Sequence, residues 1–258
     1  MSRLVPPGRG PFDGVLQIVR YNWTLYVAAL VAIALAVGVI LLTRLPAWLT
    51  WLLLLGAVAA AFWLVLSLTV SYFIYDRSRL YAWEWIPKIG GAQRHIVNIH
   101  AGLDEASAGL AVRYAASELT ILDIYDPAEM PEPSIARARQ LISGRVDAIK
   151  ADFRKLPLPS ASADLVTLIF TAHELRRSRS REALFLEIRR ILKPGAALVL
   201  VEHLRDSWNF IAFGPGAFHF LARSQWMRLG QAAGLEVVSE VKHTPFVRAF
   251  VFRQPPDA

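Results

Sequence analysis

Two uncharged, apolar runs constrain this chain more than anything else in it. No Asp, Glu, Lys or Arg occurs between Arg20 and Arg44, and none for 31 residues between Arg44 and Asp76. As helices, Trp23–Leu42 and Trp48–Val70 are each long enough to cross the roughly 30 Å core of a bilayer. Only Thr43-Arg44-Leu45-Pro46-Ala47 separates them. Pro46 resists helix continuation, so the segments must turn back as an antiparallel hairpin. A signal peptide is the poorer account, because its apolar stretch is shorter and is not followed directly by a second span.

Flanking charge sets the orientation. Arg3, Arg9 and Arg20 precede the hairpin, Arg77, Arg79 and Lys88 follow it, and Arg44 alone lies in the turn. The excess of cations at both ends predicts two spans in the inner (cytoplasmic) membrane, with both termini cytoplasmic. Trp23, Tyr26, Trp48, Trp51, Tyr72 and Tyr75 lie where interfacial aromatics belong. Ala28, Ala32 and Ala36, with Gly56 and Ala60, either have the small-residue spacing that allows close helix approach or reflect only how common alanine is in these segments. The expected division is a tail over 1–20, a hairpin over 21–75, a linker over 76–90 and a cytoplasmic domain over 91–258.

Hydrophobic residues reach 55% of the chain and charged ones only 19%, and the hairpin accounts for the imbalance. With no cysteine, disulfides and thiolate metal sites are excluded. The six histidines form no H-E-x-x-H pair, so no metal site is expected. A net charge of +7 is spread over both parts of the chain, and nucleic acid is not an expected partner.

Beyond about Gly91, short apolar runs alternate with helical patterns. His95–Ile99, Leu119–Ile124, Asp164–Phe170 and Ala197–Val201 read as buried strands. Ser134–Ile142, Arg181–Leu192 and Ser224–Ala233 read as helices, the second stopped by Lys193-Pro194-Gly195. Leu235–Val241 and Val247–Phe252 follow as closing strands. Such alternation predicts an α/β domain, a Rossmann-like doubly wound sheet.

Three local stretches, in order, resemble the class I S-adenosylmethionine-dependent methyltransferases over roughly residues 94–253. Asp152-Phe153-Arg154-Lys155-Leu156-Pro157-Leu158-Pro159, then Ala163-Asp164-Leu165-Val166, is similar to the D-A-x-x-L-P-F-P and F-D-x-V signature. Ala172-His173-Glu174-Leu175 stands where L-H-H-L often follows. Arg190 to Leu198 is similar to R-x-L-K-P-G-G-x-L. The resemblance implies S-adenosylmethionine as cofactor. It places a ribose-binding carboxylate at Asp123, with Asp126 as the alternative, although an acid before Pro127 also suits a turn. It assigns Asp152 to the adenine amino group and the Phe153 amide to the ring.

The first motif departs from D-I-G-x-G-x-G. It reads Asn98-Ile99-His100-Ala101-Gly102-Leu103-Asp104, so that His100, Ala101 and Gly102 form the expected cofactor loop with a single matching glycine. A non-catalytic, cofactor- or partner-binding module is therefore the alternative to an enzyme. His173, on the loop after the fourth strand, is the expected catalytic base, ahead of Glu174, Glu202 and His203. Trp208, Phe210, Phe213, Phe218, Phe220 and Trp226 crowd an insertion that serves either as a lid over an apolar acceptor or as a satellite core. Arg176, Arg177, Arg179 and Arg181 could meet lipid headgroups or simply begin a helix. The expected partners are the bilayer and a lipophilic small molecule, with quinone-type rings, isoprenoid derivatives and lipid headgroups all open. Oligomeric state is not legible.

Overall fold

The computed structural model describes residues 10–86, 94–142 and 148–256. Arg3, Arg9, Lys88 and the boundary at Gly91 lie outside the described residues. Helix α1 (Asp13–Leu42) and helix α2 (Ala47–Tyr72) form the antiparallel pair, and both are long and apolar enough to cross a membrane. Helix α1 begins at Asp13, well before the uncharged run. Its first amides donate to a distant acid: Gly14 N and Val15 N reach Asp76 Oδ1 and Oδ2 at 2.7 and 2.8 Å. A carboxylate there meets the positive end of the helix dipole.

The seam between α1 and α2 differs from the expected one. The half-buried stripe on α1 is Asn22, Tyr26, Ala29, Ile33, Ala36 and Ile40, a three–four alternation, whereas Ala28 and Ala32 face outward. On α2 it runs through Leu53, Ala57, Ala60, Leu64, Ser67 and Ser71, and Gly56 has open space around it. A period near 3.5 keeps one seam facing a partner helix, and a strict four-residue spacing drifts off it. At Asn22 the backbone leaves helical geometry (φ −113°, ψ 17°), and Tyr21 O accepts from Arg137 Nε at 2.6 Å. The kink fastens the hairpin to the domain.

The domain is a seven-stranded sheet in the order β3-β2-β1-β4-β5-β7-β6. Its strands are β1 (His95–His100), β2 (Glu118–Asp123), β3 (Ile149–Lys150), β4 (Ala163–Ile169), β5 (Leu192–His203), β6 (Glu236–Thr244) and β7 (Val247–Arg253). All pairings are parallel except those of β7, which runs antiparallel to β5 and β6. The helices are α3 (Ser107–Arg113), α4 (Pro133–Ile142), α5 (Ser178–Ile191), α6 (Ser207–Phe213) and α7 (Arg223–Ala232). Helix α3 and strand β3 were not legible in the sequence, being short. Strand β1 lies between β2 and β4, so the winding reverses there and leaves a crevice at the carboxyl ends of the strands.

The aromatic insertion is helical. Asp206 caps α6 by accepting from Asn209 N at 2.9 Å, and a 3₁₀ turn over Gly214–His219 follows. It packs on the hairpin: Trp63 Nε1 donates to Ile211 O at 3.1 Å, and the same indole covers Gly214.

Candidate active site

His100 and Asp123 end β1 and β2 in register, and Ala151 N donates to Asp123 O at 2.9 Å, bringing the start of the Asp152 loop alongside. Thus the His100–Gly102 loop, Asp123 and Asp152 fall along one edge of the sheet. Gly102 has φ +104°, a conformation open to glycine. The side chains that replace the family's other glycines have structural work. Asp104 Oδ1 accepts from Ala106 N and Ser107 N at 3.1 and 2.9 Å and caps α3. His100 Nδ1 accepts from Gly102 N at 3.0 Å, so its Nε2 carries the hydrogen, and that buried N–H has no hydrogen-bond partner among the described residues. Burial pulls the His100 pKa below the ordinary histidine value.

Asp123 is engaged. Arg139 Nη1 donates to its Oδ1 and Oδ2 at 2.9 and 2.7 Å, and the guanidinium lies 4.3 Å over the Tyr125 ring. A Cβ on Gly102 would stand 2.5 Å from the same arginine side chain. Asp126 is the turn acid, accepting from Ala128 N at 2.9 Å. The exposed Asp152 accepts from Arg154 N at 2.8 Å, and the Phe153 ring is buried in the core.

His173 sits in a 3₁₀ turn after β4. Behind it lies Glu202 of β5, fully buried. Glu202 Oε2 meets His173 Nδ1 at 2.6 Å, while Oε1 accepts from Ala172 N and His173 N at 3.1 and 3.2 Å. On the other side His173 Nε2 lies 3.2 Å from Glu174 Oε1. Burial alone would lower the His173 pKa, but Glu202 and Glu174 outweigh it and raise it to about 10. The base expected from the sequence therefore carries its proton at neutral pH. His173 in turn keeps the Glu174 carboxyl below its usual range against the opposing effect of burial.

Sequence reasoning missed His219, whose Nε2 is 3.7 Å from Glu174 Oε2 and whose ring centre is 5.1 Å from that of His173. It also missed Tyr75. His203 Nδ1 bonds the Phe246 carbonyl at 3.0 Å and so must donate there, leaving Nε2 to accept the Tyr75 hydroxyl at 2.8 Å. Tyr75 is thus turned into the domain and away from an interfacial belt. The His203 ring is stacked between Phe170 and Phe220, with centres 5.0 and 4.9 Å away. Burial, with His173 nearby, lowers its pKa to about 4.

A cavity of about 730 Å³ opens over these groups. One wall is hairpin, including Tyr21, Leu25, Tyr26, Ala60 and Leu64, and the other is domain, including Ala101, Phe170, His173, His203 and Phe220. The aromatic insertion divides between the two expected roles. Trp208, Phe210 and Phe218 are exposed, Phe218 at 64%, whereas Phe213 packs against His203, Phe220 and Phe246, and Trp226 is fully buried beside Phe185. Of the arginine cluster Arg181 is buried, whereas Arg176, Arg177 and Arg179 are exposed. Arg177 pairs with buried Glu129 at 2.8 Å, Arg181 is buried against the Leu175 and Arg176 carbonyls, and Arg176 donates to His219 O at 3.0 Å.

Residues 103–200 match the family model described as a methyltransferase domain. Two solved structures share the fold. An O-methyltransferase family 2 protein from Planctomyces limnophilus matches at TM-score 0.53 and 14% identity, covering 80% of this chain and 68% of that one. A Haloferax volcanii methyltransferase, solved with its Trm112 activator, matches at 0.50 and 15%, covering 72% and 92%. Residues 103–200 are therefore similar to the methyltransferase domain, and the sheet has the fold of the class I S-adenosylmethionine-dependent methyltransferases. Among curated relatives, the ubiquinone/menaquinone biosynthesis C-methyltransferase of Rubrivivax gelatinosus is 27% identical over 161 residues, 62% of this chain and 60% of that protein. The Pseudomonas aeruginosa enzyme is 33% identical over 79 residues, and the match spans about a third of each chain, 31% here and 30% there. S-adenosylmethionine is the cofactor of this class. The methyltransferase crevice fits it: a carboxylate ends β2, a glycine at positive φ opens the loop after β1, and an unpaired buried N–H stands ready for an acceptor.

Proposed function

We propose that this protein is a membrane-anchored methyltransferase that modifies a lipophilic, membrane-resident small molecule, a hydroxylated quinol-type ring on an apolar tail. The observation that carries this reading is the shared cavity, because its apolar wall is the hairpin itself. Tyr26 and Ser67 bond to each other near the inner ends of the two apolar segments, and Trp63, one turn deeper on α2, receives α6. Exposed Trp208, Phe210, Ile211 and Phe218 would then rest in the inner leaflet, as amphipathic interfacial helices do. An acceptor can keep its tail among lipids while its ring enters between hairpin and domain. The names of the curated relatives favour a quinone-type ring over a lipid headgroup.

His100 Nε2, Gly102, Asp123, Asp152 and the Phe153 amide would hold the cofactor, with Asp123 released from Arg139 to receive the ribose hydroxyls. When bound, the cofactor supplies an electrophilic methyl on sulfonium, whose carbon–sulfur bond breaks as the acceptor bonds the methyl. The chain contributes orientation and charge: His173 and Glu174 line the cavity where an acceptor hydroxyl would lie, with Glu202 buried behind them.

The test is methyl transfer from labelled cofactor by protein in nanodiscs. Prenylated hydroxyquinols should be methylated well, and the same rings without tails at least tenfold less efficiently in kcat/KM. Equal use of tailed and tailless rings would refute a membrane-fed site. Cofactor binding with no transfer to any prenylated ring or lipid would favour the non-catalytic reading.

A further inference from the structure

His173, Glu174 and His219 present ligand atoms that all lie within 4.8 Å of one another at the cavity wall. We propose that these three residues bind a divalent transition-metal ion, which displaces to solvent the proton His173 otherwise holds on Nε2 and leaves coordination positions open toward the cavity. His173 Nε2 is 3.2 Å from Glu174 Oε1, and His219 Nε2 is 3.7 Å from Glu174 Oε2. Ligands about 2.0–2.2 Å from a tetrahedral zinc ion stand roughly 3.4 Å apart. The two histidines approach different oxygens of Glu174, and with all three ligand atoms within 4.8 Å of one another the side chains must close by about 1 Å to hold the ion.

The outer shell is also present. Ligating histidines usually donate their second ring N–H to a carboxylate, which fixes the tautomer. His173 Nδ1 has Glu202 at 2.6 Å, and His219 Nδ1 has Glu132 at 3.5 Å. Both rings therefore turn Nε2 toward Glu174 with an acid behind. Arg176 Nη1 lies 3.1 Å from His219 Nδ1, but it is also anchored by the His173 and His219 carbonyls at 3.4 and 3.0 Å. With the ion on Nε2, the neutral His219 ring must carry its hydrogen on Nδ1, where it donates to Glu132; Arg176 then gives up its bond to Nδ1 and keeps its carbonyls. Two histidines and one carboxylate with open positions are a set used by catalytic zinc and non-haem iron sites. Three carboxylates, Glu132, Glu174 and Glu202, offset the charge of the dication. Within the function proposed above, the ion would take the acceptor's ring oxygen and favour its ionised form. That use rests on the methyltransferase reading, whereas binding of the ion does not.

The test uses the full chain in detergent or nanodiscs, stripped with chelator, with Zn²⁺ as the probe and no cofactor or acceptor present. Calorimetry should give one Zn²⁺ per chain at micromolar affinity or tighter. His219→Ala and Glu174→Gln should weaken it at least 100-fold, and Glu132→Gln about 10- to 100-fold. Co²⁺ in place of Zn²⁺ should give visible ligand-field bands that His219→Ala abolishes. His219 is on the insertion, outside the sheet core, and circular dichroism checks that each variant is folded. No saturable Zn²⁺ uptake by folded wild type, or unchanged affinity in folded His219→Ala, overturns the site. Failure to methylate any acceptor leaves these readouts intact and bears only on the function above.

Discussion

Arg139 and the proposed cofactor compete for one carboxylate, and the competition can be measured. Arg139 Nη1 meets both Asp123 oxygens, and the arginine side chain fills the space beside Gly102. The pair is partly screened, with 31% of the arginine and 14% of the aspartate side chain exposed. Pairs in such settings contribute up to about 1 kcal/mol. Arg139→Ala removes a bond that cofactor binding must otherwise break, so affinity should rise about two- to fivefold, the equivalent of roughly 0.5–1 kcal/mol. Asp123→Ala should instead lower affinity by roughly 1.5–3 kcal/mol, the loss of hydrogen bonds to a charged group. The assay is titration calorimetry with S-adenosylhomocysteine at low and moderate salt. The gain from Arg139→Ala should shrink as salt screens the pair. Weaker binding in folded Arg139→Ala would refute the argument and make Arg139 a cofactor ligand.

Phe218→Ser should leave stability within about 0.5 kcal/mol, as exposed positions do, yet impair use of a tailed acceptor; Phe213→Ser, packed against three rings, should cost about 2 kcal/mol by chemical denaturation. A large loss from Phe218→Ser would make that ring core. A reporter inserted near Arg44 should be active outside the cytoplasm, and cytoplasmic signal there would sink the hairpin orientation. His203 has a folded pKa of about 4 against about 6.5 unfolded, so the unfolded chain takes up a proton that the native state refuses. Stability should be full above about pH 6.5 and fall by about 3 kcal/mol toward pH 4 through this group. His173, raised to about 10, acts in the opposite window, losing its stabilisation between about pH 6.5 and 10. Denaturant melts of His203→Asn should show a flatter acid limb than wild type, and an equal limb would dismiss His203 as its source.

Local physics made much of this protein legible in advance. Uncharged length and flanking arginines are one-dimensional signals, and the pair of long apolar helices followed from them. Strands β1 and β4 and the end of β5 were legible because they are buried and rich in apolar residues, the half-buried β2 was legible from its Leu and Ile, and the preference for Asp123 over Asp126 followed from turn chemistry. The altered glycine motif was visible too, but its reason was not: Asp104 caps α3 and His100 tightens the loop through contacts that only folded geometry supplies. The helix seam was only partly legible, since Ala36 and Ala60 lie on it while Ala28 and Ala32 do not, because a four-residue spacing is only one of the periods that alanine-rich sequence permits. What tertiary structure alone decided is the company each reactive group keeps. His173 and His219 are joined across 46 positions, Tyr75 and His203 across 128, and Trp63 and Ile211 across 148. Their meeting depends on packing the hairpin and the insertion onto the carboxyl edge of the sheet. The same packing turned His173 from an expected base into a residue that holds its proton, because a pKa is set by charges nearby in space, and Glu202 approaches only when β5 pairs with β4.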